Sequence, residues 1–126
     1  MNVLLWVLQV LLALVFLAHG WMMLFPPPEV AVQMNANLPR WFSFFIGVAE
    51  VAAFVGLLLP GATRILPFLV AWASIGLMIV VGSATAFHAF RGEYSSAVIT
   101  FILFALATFL AYGRLRLRPI AARHVA

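Results

Sequence analysis

Residues 41–59 read WFSFFIGVAEVAAFVGLLL, an apolar run in which Glu50 is the single charged side chain. A helix needs about 20 apolar residues to cross the hydrocarbon core of a bilayer, so this run predicts a transmembrane helix. Pro60 and Gly61 follow directly. They predict its end, because proline cannot donate the backbone hydrogen bond that a continuing helix requires.

Three more apolar segments of similar length flank this run, at about residues 2–25, 65–89 and 95–112. The first of them ends at Pro26, Pro27 and Pro28. These prolines begin a polar link that spans residues 26–40. Lipid offers no partner to backbone N–H and C=O groups, so only helices or closed barrels cross it, and no strand-like alternation is present. We therefore predict an all-α fold, a polytopic membrane protein with a four-transmembrane-helix bundle. The bundle forms one domain, residues 1–113, and a basic cytoplasmic tail follows it, residues 114–126.

The composition excludes several classes of protein. Of the 126 residues, 67% are hydrophobic and 8% are charged, and the mean hydropathy is +1.18. Soluble domains carry about 25% charged residues, so a soluble enzyme is excluded, as is a disordered chain, which needs low hydrophobicity. The net charge of +4 comes from Arg residues that flank the apolar runs, a pattern that indicates membrane topology rather than nucleic-acid binding. The absence of Cys excludes disulfides and thiol chemistry.

The distribution of Arg predicts the orientation of the chain. Four crossings place both termini on the same side as the turn at residues 60–64; that side carries five Arg residues, and the other carries two, Arg40 and Arg91. The positive-inside rule then places both termini in the cytoplasm, and we expect an integral protein of the bacterial cytoplasmic membrane. The basic residues after the last segment, Arg114, Arg116 and Arg118, are expected to meet anionic lipid headgroups.

Three ionisable side chains fall inside the predicted spans: His19, Glu50 and His88. At a rise of about 1.5 Å per residue they lie about 9, 13 and 5 Å below the outer interface, in the outer half of the bilayer and on three different helices. We take them as candidate catalytic residues, since ionisable groups are costly in lipid and mark functional sites there. Depth follows from the sequence, whereas the direction in which each side chain faces stays open.

Glu50, with Gly47 one turn before it at a position where another helix can approach closely, is the strongest candidate. It can donate or accept a proton or anchor a polar group of a lipophilic ligand. The alternative is an interhelical hydrogen bond worth about 1 kcal/mol. His88 can relay protons between Glu50 and the outer aqueous phase or merely contact headgroups, and for His19 the interfacial role is the simpler interpretation. Two His and a carboxylate can form a metal triad, but the i, i+4 His spacing of a helical metal motif is missing, so no metal site is expected.

Several short elements occur in a characteristic order: Phe45-Ile46-Gly47-Val48-Ala49-Glu50, then Gly56-Leu57-Leu58-Leu59-Pro60, then Ala86-Phe87-His88 and Arg91-Gly92-Glu93-Tyr94. Together they resemble the DoxX-like family of small four-helix membrane proteins, over nearly the whole chain, about residues 4–114. Many members of that family carry a Lys after the Gly that closes the first helix. The matching stretch here, Gly20-Trp21-Met22-Met23, has none, which leaves His19 as a candidate substitute for that cation beside Glu50.

The family that the sequence resembles includes the small subunit of a thiosulfate:quinone oxidoreductase, membrane partners of oxidative-stress enzymes, cargo receptors and receptor-assembly chaperones. We expect a subunit that binds a quinone or similar lipophilic small molecule in the outer half of the bilayer, with Glu50 and the His residues handling protons. Two alternatives stay open: a stand-alone intramembrane acid–base enzyme, and a non-enzymatic scaffold or assembly factor. The expected partners are the lipid bilayer, that lipophile, and a membrane or redox partner protein or a second copy of the chain, with no nucleic acid.

Overall fold

The computed structural model describes residues 1–124. These residues form five α-helices: α1 (Asn2–Leu24), α2 (Pro28–Asn37), α3 (Arg40–Thr63), α4 (Leu69–Phe90) and α5 (Tyr94–Tyr112), and a π-helical turn, Gly113–Leu117, continues the last helix. No β-strand occurs in this part of the chain. Four of the helices, α1, α3, α4 and α5 with its π-helical turn, are long and apolar enough to cross a membrane. The prediction of an all-α bundle with four membrane-spanning helices is therefore confirmed.

The long helices form a ring in which sequence neighbours run antiparallel. Along α1 and α3, residue numbers rise in opposite directions, since Gln9 bonds the Leu57 carbonyl and Gly20 lies against Gly47. The other three seams are α3 with α4, α4 with α5, and α5 with α1. This is an up-down-up-down four-helix bundle. We call the end that carries residues 1–5, 64–68 and 113–124 the termini end, and the end that carries α2 and the α4–α5 turn the link end.

The buried core occupies the centre and the termini end of the bundle. Its residues come from all four long helices: Leu5, Leu12, Ala13, Phe16, Leu57, Val70, Leu77, Val81, Ala107 and Leu110. Large apolar side chains also cover the outside, for example Trp72 and Ile79, which are 60% and 66% exposed. Such a surface is compatible with lipid and not with water, in agreement with the membrane-spanning lengths of the helices.

The link between α1 and α3 is more ordered than a polar loop, because ten of its residues form the short surface helix α2. Pro28 occupies the first turn of this helix, where the missing N–H costs nothing. Glu29 follows in the same turn, and its charge is favourable at a helix N-terminus. The run of three prolines therefore ends α1 and also begins α2.

The sequence predicted that the second spanning helix ends before Pro60. This prediction is wrong, because α3 continues to Thr63. Pro60 lies in the last turn, so the helix loses only the hydrogen bond that residue 60 would donate to the Gly56 carbonyl. The helix ends at Arg64, whose φ of 59° is left-handed. Leu66, with a φ of 49°, prolongs the turn, and α4 consequently begins at Leu69 rather than near residue 65.

Part of the C-terminal segment packs back on the termini end of the bundle. Arg64 Nε donates to the Ala121 carbonyl at 2.9 Å, Arg123 N donates to the Arg64 carbonyl at 2.7 Å, and Ile120 packs against the core. Arg114 was expected at the lipid headgroups, and this expectation is wrong: its side chain is only 4% exposed. Arg114 lies in the π-helical turn, and its guanidinium is held inside the bundle because Gln9 on α1 accepts a hydrogen bond from its Nε.

Candidate functional site

A polar contact inside the bundle joins His19 on α1 to Glu50 on α3. His19 Nδ1 lies 2.6 Å from Glu50 Oε2. The Glu50 side chain is 3% exposed, whereas that of His19 is 48% exposed. The pair therefore connects a buried carboxyl group to the outer surface of the bundle, at a depth where the helices are surrounded by lipid.

The directions of the two helices explain why these residues meet. Cα–Cβ bonds lean toward the N-terminus of their own helix, and α1 and α3 are antiparallel, so the His19 side chain leans toward the bundle centre and that of Glu50 toward the link end. The buried face of α1 includes Phe16, Gly20 and Met23. His19 stands at the edge of this face, next to Gly20, and it is half-exposed for that reason.

Two glycines bring the helix backbones close enough for this contact. A Cβ atom on Gly20 would lie 2.9 Å from Glu50 Cβ and 3.1 Å from the Gly47 carbonyl oxygen. A Cβ atom on Gly47 would lie 2.9 Å from the Gly20 carbonyl oxygen. Larger residues at either position would force the helices apart. The close approach expected at Gly47 is thus present, and α1 is the helix that makes it.

The hydrogen bond to Glu50 decides what the imidazole of His19 can offer to its surroundings. When the carboxyl group is ionised and His19 is neutral, Nδ1 carries the proton and Nε2 is left as an acceptor. When His19 is protonated, Nε2 becomes a donor and the pair becomes an ion pair. No second group among residues 1–124 hydrogen-bonds to the Glu50 carboxyl group. The pair can therefore take up or release one proton at the imidazole nitrogen that does not contact Glu50.

His88 is not part of this pair. In the described chain it makes no hydrogen bond or ion pair with Glu50; its Nδ1 lies 3.7 Å from Oε2 of Glu93, in the α4–α5 turn. The same nitrogen is buried and has no hydrogen-bond partner among residues 1–124. The structure thus brings two of the three candidate residues together and places the third beside a different carboxylate.

A charged cluster covers the link end. Arg91 Nε donates to Glu93 Oε1 at 2.6 Å, and Arg91 Nη2 donates to Asn37 Oδ1 at 2.8 Å, which fastens α2 to the α4–α5 turn. The Arg91 guanidinium holds the pKa of the exposed Glu93 carboxyl below its ordinary value. This cluster stabilises the turn and the short helix, and the sequence alone did not pair its members.

Arg40 makes a further contact between α1 and α3 that the sequence alone did not predict. Its two terminal nitrogens donate to the Met23 and Leu24 carbonyls, at 2.7 and 2.6 Å. These carbonyls are among the last of α1, which has no basic residue of its own in its last turn, and a cation there compensates the negative end of the helix dipole. Arg40 therefore fastens the start of α3 to the end of α1, above the His19–Glu50 pair.

Two open cavities lie elsewhere in the bundle. One, of about 250 Å³, lies between α3 and α4 and is lined by small and apolar residues: Ala49, Ala52, Ala53, Ala73, Gly76, Leu77 and Val80. The other, of about 310 Å³, lies at the termini end. Neither is lined by His19, Glu50 or His88. No group of three or more His, Cys, Asp and Glu that could hold a metal ion occurs in residues 1–124.

Four antiparallel apolar helices, with a buried carboxyl group that contacts a half-exposed imidazole between two of them, define a small integral membrane protein. The chain belongs to the DoxX-like family, whose model matches residues 7–110. The resemblance seen in the sequence is therefore confirmed. No curated protein and no solved structure matches the chain.

Proposed function

We propose that this protein binds a lipophilic small molecule with a hydrogen-bonding oxygen, of the quinone class, at the His19–Glu50 pair, and exchanges a proton with it. The observation that carries the proposal is the 2.6 Å contact between a half-exposed imidazole and a buried carboxyl group. Ionisable groups inside a membrane protein mark functional sites by default. A ligand dissolved in the bilayer reaches His19 directly from the lipid.

Each residue of the pair has a separate task in this proposal. His19 Nε2 meets the oxygen of the ligand, as an acceptor or a donor according to the protonation state of the ring. Glu50 holds the ring through Nδ1 and compensates the positive charge when His19 gains a proton. Electrons for any redox step come from a membrane or redox partner protein, for which this chain acts as a subunit.

Thermal unfolding of the purified protein in detergent tests the proposal, with a panel of quinones and other lipophiles added in turn. A ligand should raise the Tm of the wild type and of His88→Gln, whose imidazole lies beside Glu93 instead, and should fail to raise that of Glu50→Gln. Gln keeps the volume and the hydrogen-bonding capacity of Glu but cannot ionise. His19→Gln changes a half-exposed residue, and it replaces Glu50→Gln in the test should that variant fail to fold. Equal shifts in all variants, or no shift in the wild type, would contradict the proposal.

A second candidate is a scaffold or assembly factor, in which the same pair serves only to hold α1 against α3. The observation that favours it is the burial of Glu50 at the Gly20–Gly47 contact, since a 3%-exposed carboxyl group there stabilises the crossing through His19. Under this function Glu50→Gln lowers the yield of folded protein in detergent, and no lipophile changes the Tm of the wild type.

We further propose that both termini lie in the cytoplasm of a bacterial cell and the link end lies outside. The charge difference supports this: five Arg residues belong to the termini end and two to the link end. The chain has no Cys, so a single introduced Cys reports its own side of the membrane. A membrane-impermeant maleimide should label Glu29→Cys in intact cells and should label Ala122→Cys only after lysis; the reverse pattern would invert the orientation.

A further inference from the structure

The most deeply buried Arg of the described chain, Arg114, has only uncharged hydrogen-bond partners. Its Nε donates to Gln9 Oε1 at 3.0 Å, and its Nη1 donates to Asn2 Oδ1 at 2.7 Å and to the Arg118 carbonyl at 3.1 Å. The guanidinium also lies over the Trp6 ring, 5.2 Å from its centroid. Its Nη2 is buried and has no hydrogen-bond partner among residues 1–124.

No carboxylate of the described residues balances this charge. The three acidic residues of the chain, Glu29, Glu50 and Glu93, lie on α2, in the link-end half of α3 and in the α4–α5 turn, and every ion pair of residues 1–124 involves Glu50 or Glu93. A buried charge without a counter-charge is costly. The termini end, with five Arg residues, therefore attracts an anion from outside the chain.

A cavity at the termini end offers the place for that anion, and although Arg114 itself does not line it, three of the residues that contact Arg114 do. It measures about 310 Å³, and its walls are Asn2, Trp6, Arg118, Pro119, Ile120 and Ala121. The first three of these are the residues that contact Arg114. At roughly 30 Å³ for each water molecule, the space suits a phosphate group with the atoms attached to it. Arg118, which lines the cavity, is a charged and exposed residue, and its backbone carbonyl accepts a hydrogen bond from Arg114.

We propose that this cavity binds the phosphate of an anionic phospholipid headgroup. The cavity lies where α1 begins and α5 ends, which is the level of the headgroups for helices that span the bilayer. Arg is suited to phosphate because its fork of N–H groups matches the phosphate oxygens, and Trp is favoured at the same interfacial level. The site lies at the opposite end of α1 from the His19–Glu50 pair and does not depend on the function proposed for that pair.

Titration of the purified full chain, in a neutral detergent, with short-chain phosphatidylglycerol tests the site, and the shift in Tm gives the apparent Kd. Arg118→Gln removes the charged side chain from the cavity wall and keeps the backbone carbonyl that Arg114 uses. Arg116→Gln is the matched control, because it removes the same charge from the same turn. Arg116 is exposed and does not line the cavity. We expect the apparent Kd to rise about tenfold or more in Arg118→Gln, as for a lost charge-assisted hydrogen bond. In Arg116→Gln it should rise less than about threefold.

Titrations with two further ligands distinguish a lipid headgroup from free phosphate as the source of the bound phosphate group. Short-chain phosphatidylcholine should shift the Tm much less than phosphatidylglycerol, and inorganic phosphate alone should shift it little; a shift by inorganic phosphate as large as that by the lipid assigns the same site to free phosphate. Arg118→Lys, which keeps the charge, should recover part of the binding. Equal weakening by Arg116→Gln and Arg118→Gln would overturn the proposal, as would equal shifts by the two lipids or the absence of any shift.

Discussion

Replacing Gly20 by Ala introduces a methyl group into the closest contact between α1 and α3. The new carbon would lie 2.9 Å from Glu50 Cβ and 3.1 Å from the Gly47 carbonyl oxygen, whereas carbon atoms pack best at about 3.5–4.0 Å. Neither neighbouring atom is the far end of a flexible side chain, so neither can turn away. The two helices must therefore separate by several tenths of an ångström along this part of the seam.

The cost follows from the size of the overlap. Overpacking a well-packed interior costs about 1–3 kcal/mol, which is roughly a 5- to 150-fold change in the unfolding equilibrium. Gly76 is the matched control, because a Cβ atom there has no neighbour within 4 Å. Ala is favoured over Gly inside a helix by about 1 kcal/mol at both positions, so Gly76→Ala should be neutral or mildly stabilising, and the cost of the overlap is the difference in stability between the two variants. When α1 and α3 separate at Gly20, the distance between His19 and Glu50 also increases. Gly20→Ala should therefore weaken the binding of any ligand that uses this pair.

Equilibrium unfolding in mixed micelles, with increasing SDS and far-UV circular dichroism as the signal, compares the two variants directly. Gly20→Ala should unfold at a lower SDS fraction than the wild type, and Gly76→Ala at the same fraction or a higher one. The reasoning is refuted if Gly20→Ala is as stable as Gly76→Ala, because the α1–α3 contact would then have room that the structure denies it.

Three further predictions concern polar contacts away from this crossing. Thr100→Val removes the 2.9 Å hydrogen bond that the Thr85 hydroxyl on α4 donates to Thr100 Oγ1 on α5, and it should cost about 0.5–2 kcal/mol in the same unfolding assay; unchanged stability would contradict a role for this bond. Arg91 holds the pKa of Glu93 low, so the stability that Glu93 adds is complete near neutral pH. It disappears as the pH falls below the ordinary Glu pKa and through the lowered pKa, so the Tm difference between wild type and Glu93→Gln should be full near neutral pH and close in acid; a difference that does not change with pH argues against this ion pair. Gln9→Leu leaves a buried guanidinium N–H and an α3 carbonyl without their partner and should cost about 1–3 kcal/mol, whereas a neutral result would show that water or lipid replaces the amide.

Hydropathy predicted the four spanning helices because crossing a bilayer requires only length and apolar composition. Hydropathy does not predict which face of each helix is buried, because apolar residues cover all faces of a helix that is surrounded by lipid. His19, Glu50 and His88 illustrate the difference. Their depth placed all three in one half of the membrane, but only the packing of α1 on α3 shows that His19 meets Glu50 and that His88 belongs with Glu93. Gly47 did indicate the close approach beside Glu50, because a glycine one turn before a buried carboxyl group leaves room for another helix.

The contact between Gln9 and Arg114 at the termini end could not be predicted from the sequence, for a different physical reason. Gln9 and Arg114 are 105 residues apart, and a basic residue after the last apolar run ordinarily faces headgroups. Arg114 lies in the π-helical turn that follows α5, and its guanidinium meets the Gln9 side chain of α1 there. No local pattern marks such a turn in advance, and Gln9 alone resembles the other scattered polar residues of the spans.

Polar bonds fasten α1 to α3 at three heights: Arg40 at the link end, His19 with Glu50 below it, and Gln9 with the Leu57 carbonyl toward the termini end. The Gly20–Gly47 contact lies among them and leaves no space between the two backbones. The lipophile proposed for the carboxyl–imidazole pair is therefore not expected to enter between α1 and α3, because the contact between these helices is held from both sides. It has to approach the exposed edge of His19 from the lipid, and this route favours a molecule that is already dissolved in the bilayer over one that arrives from water.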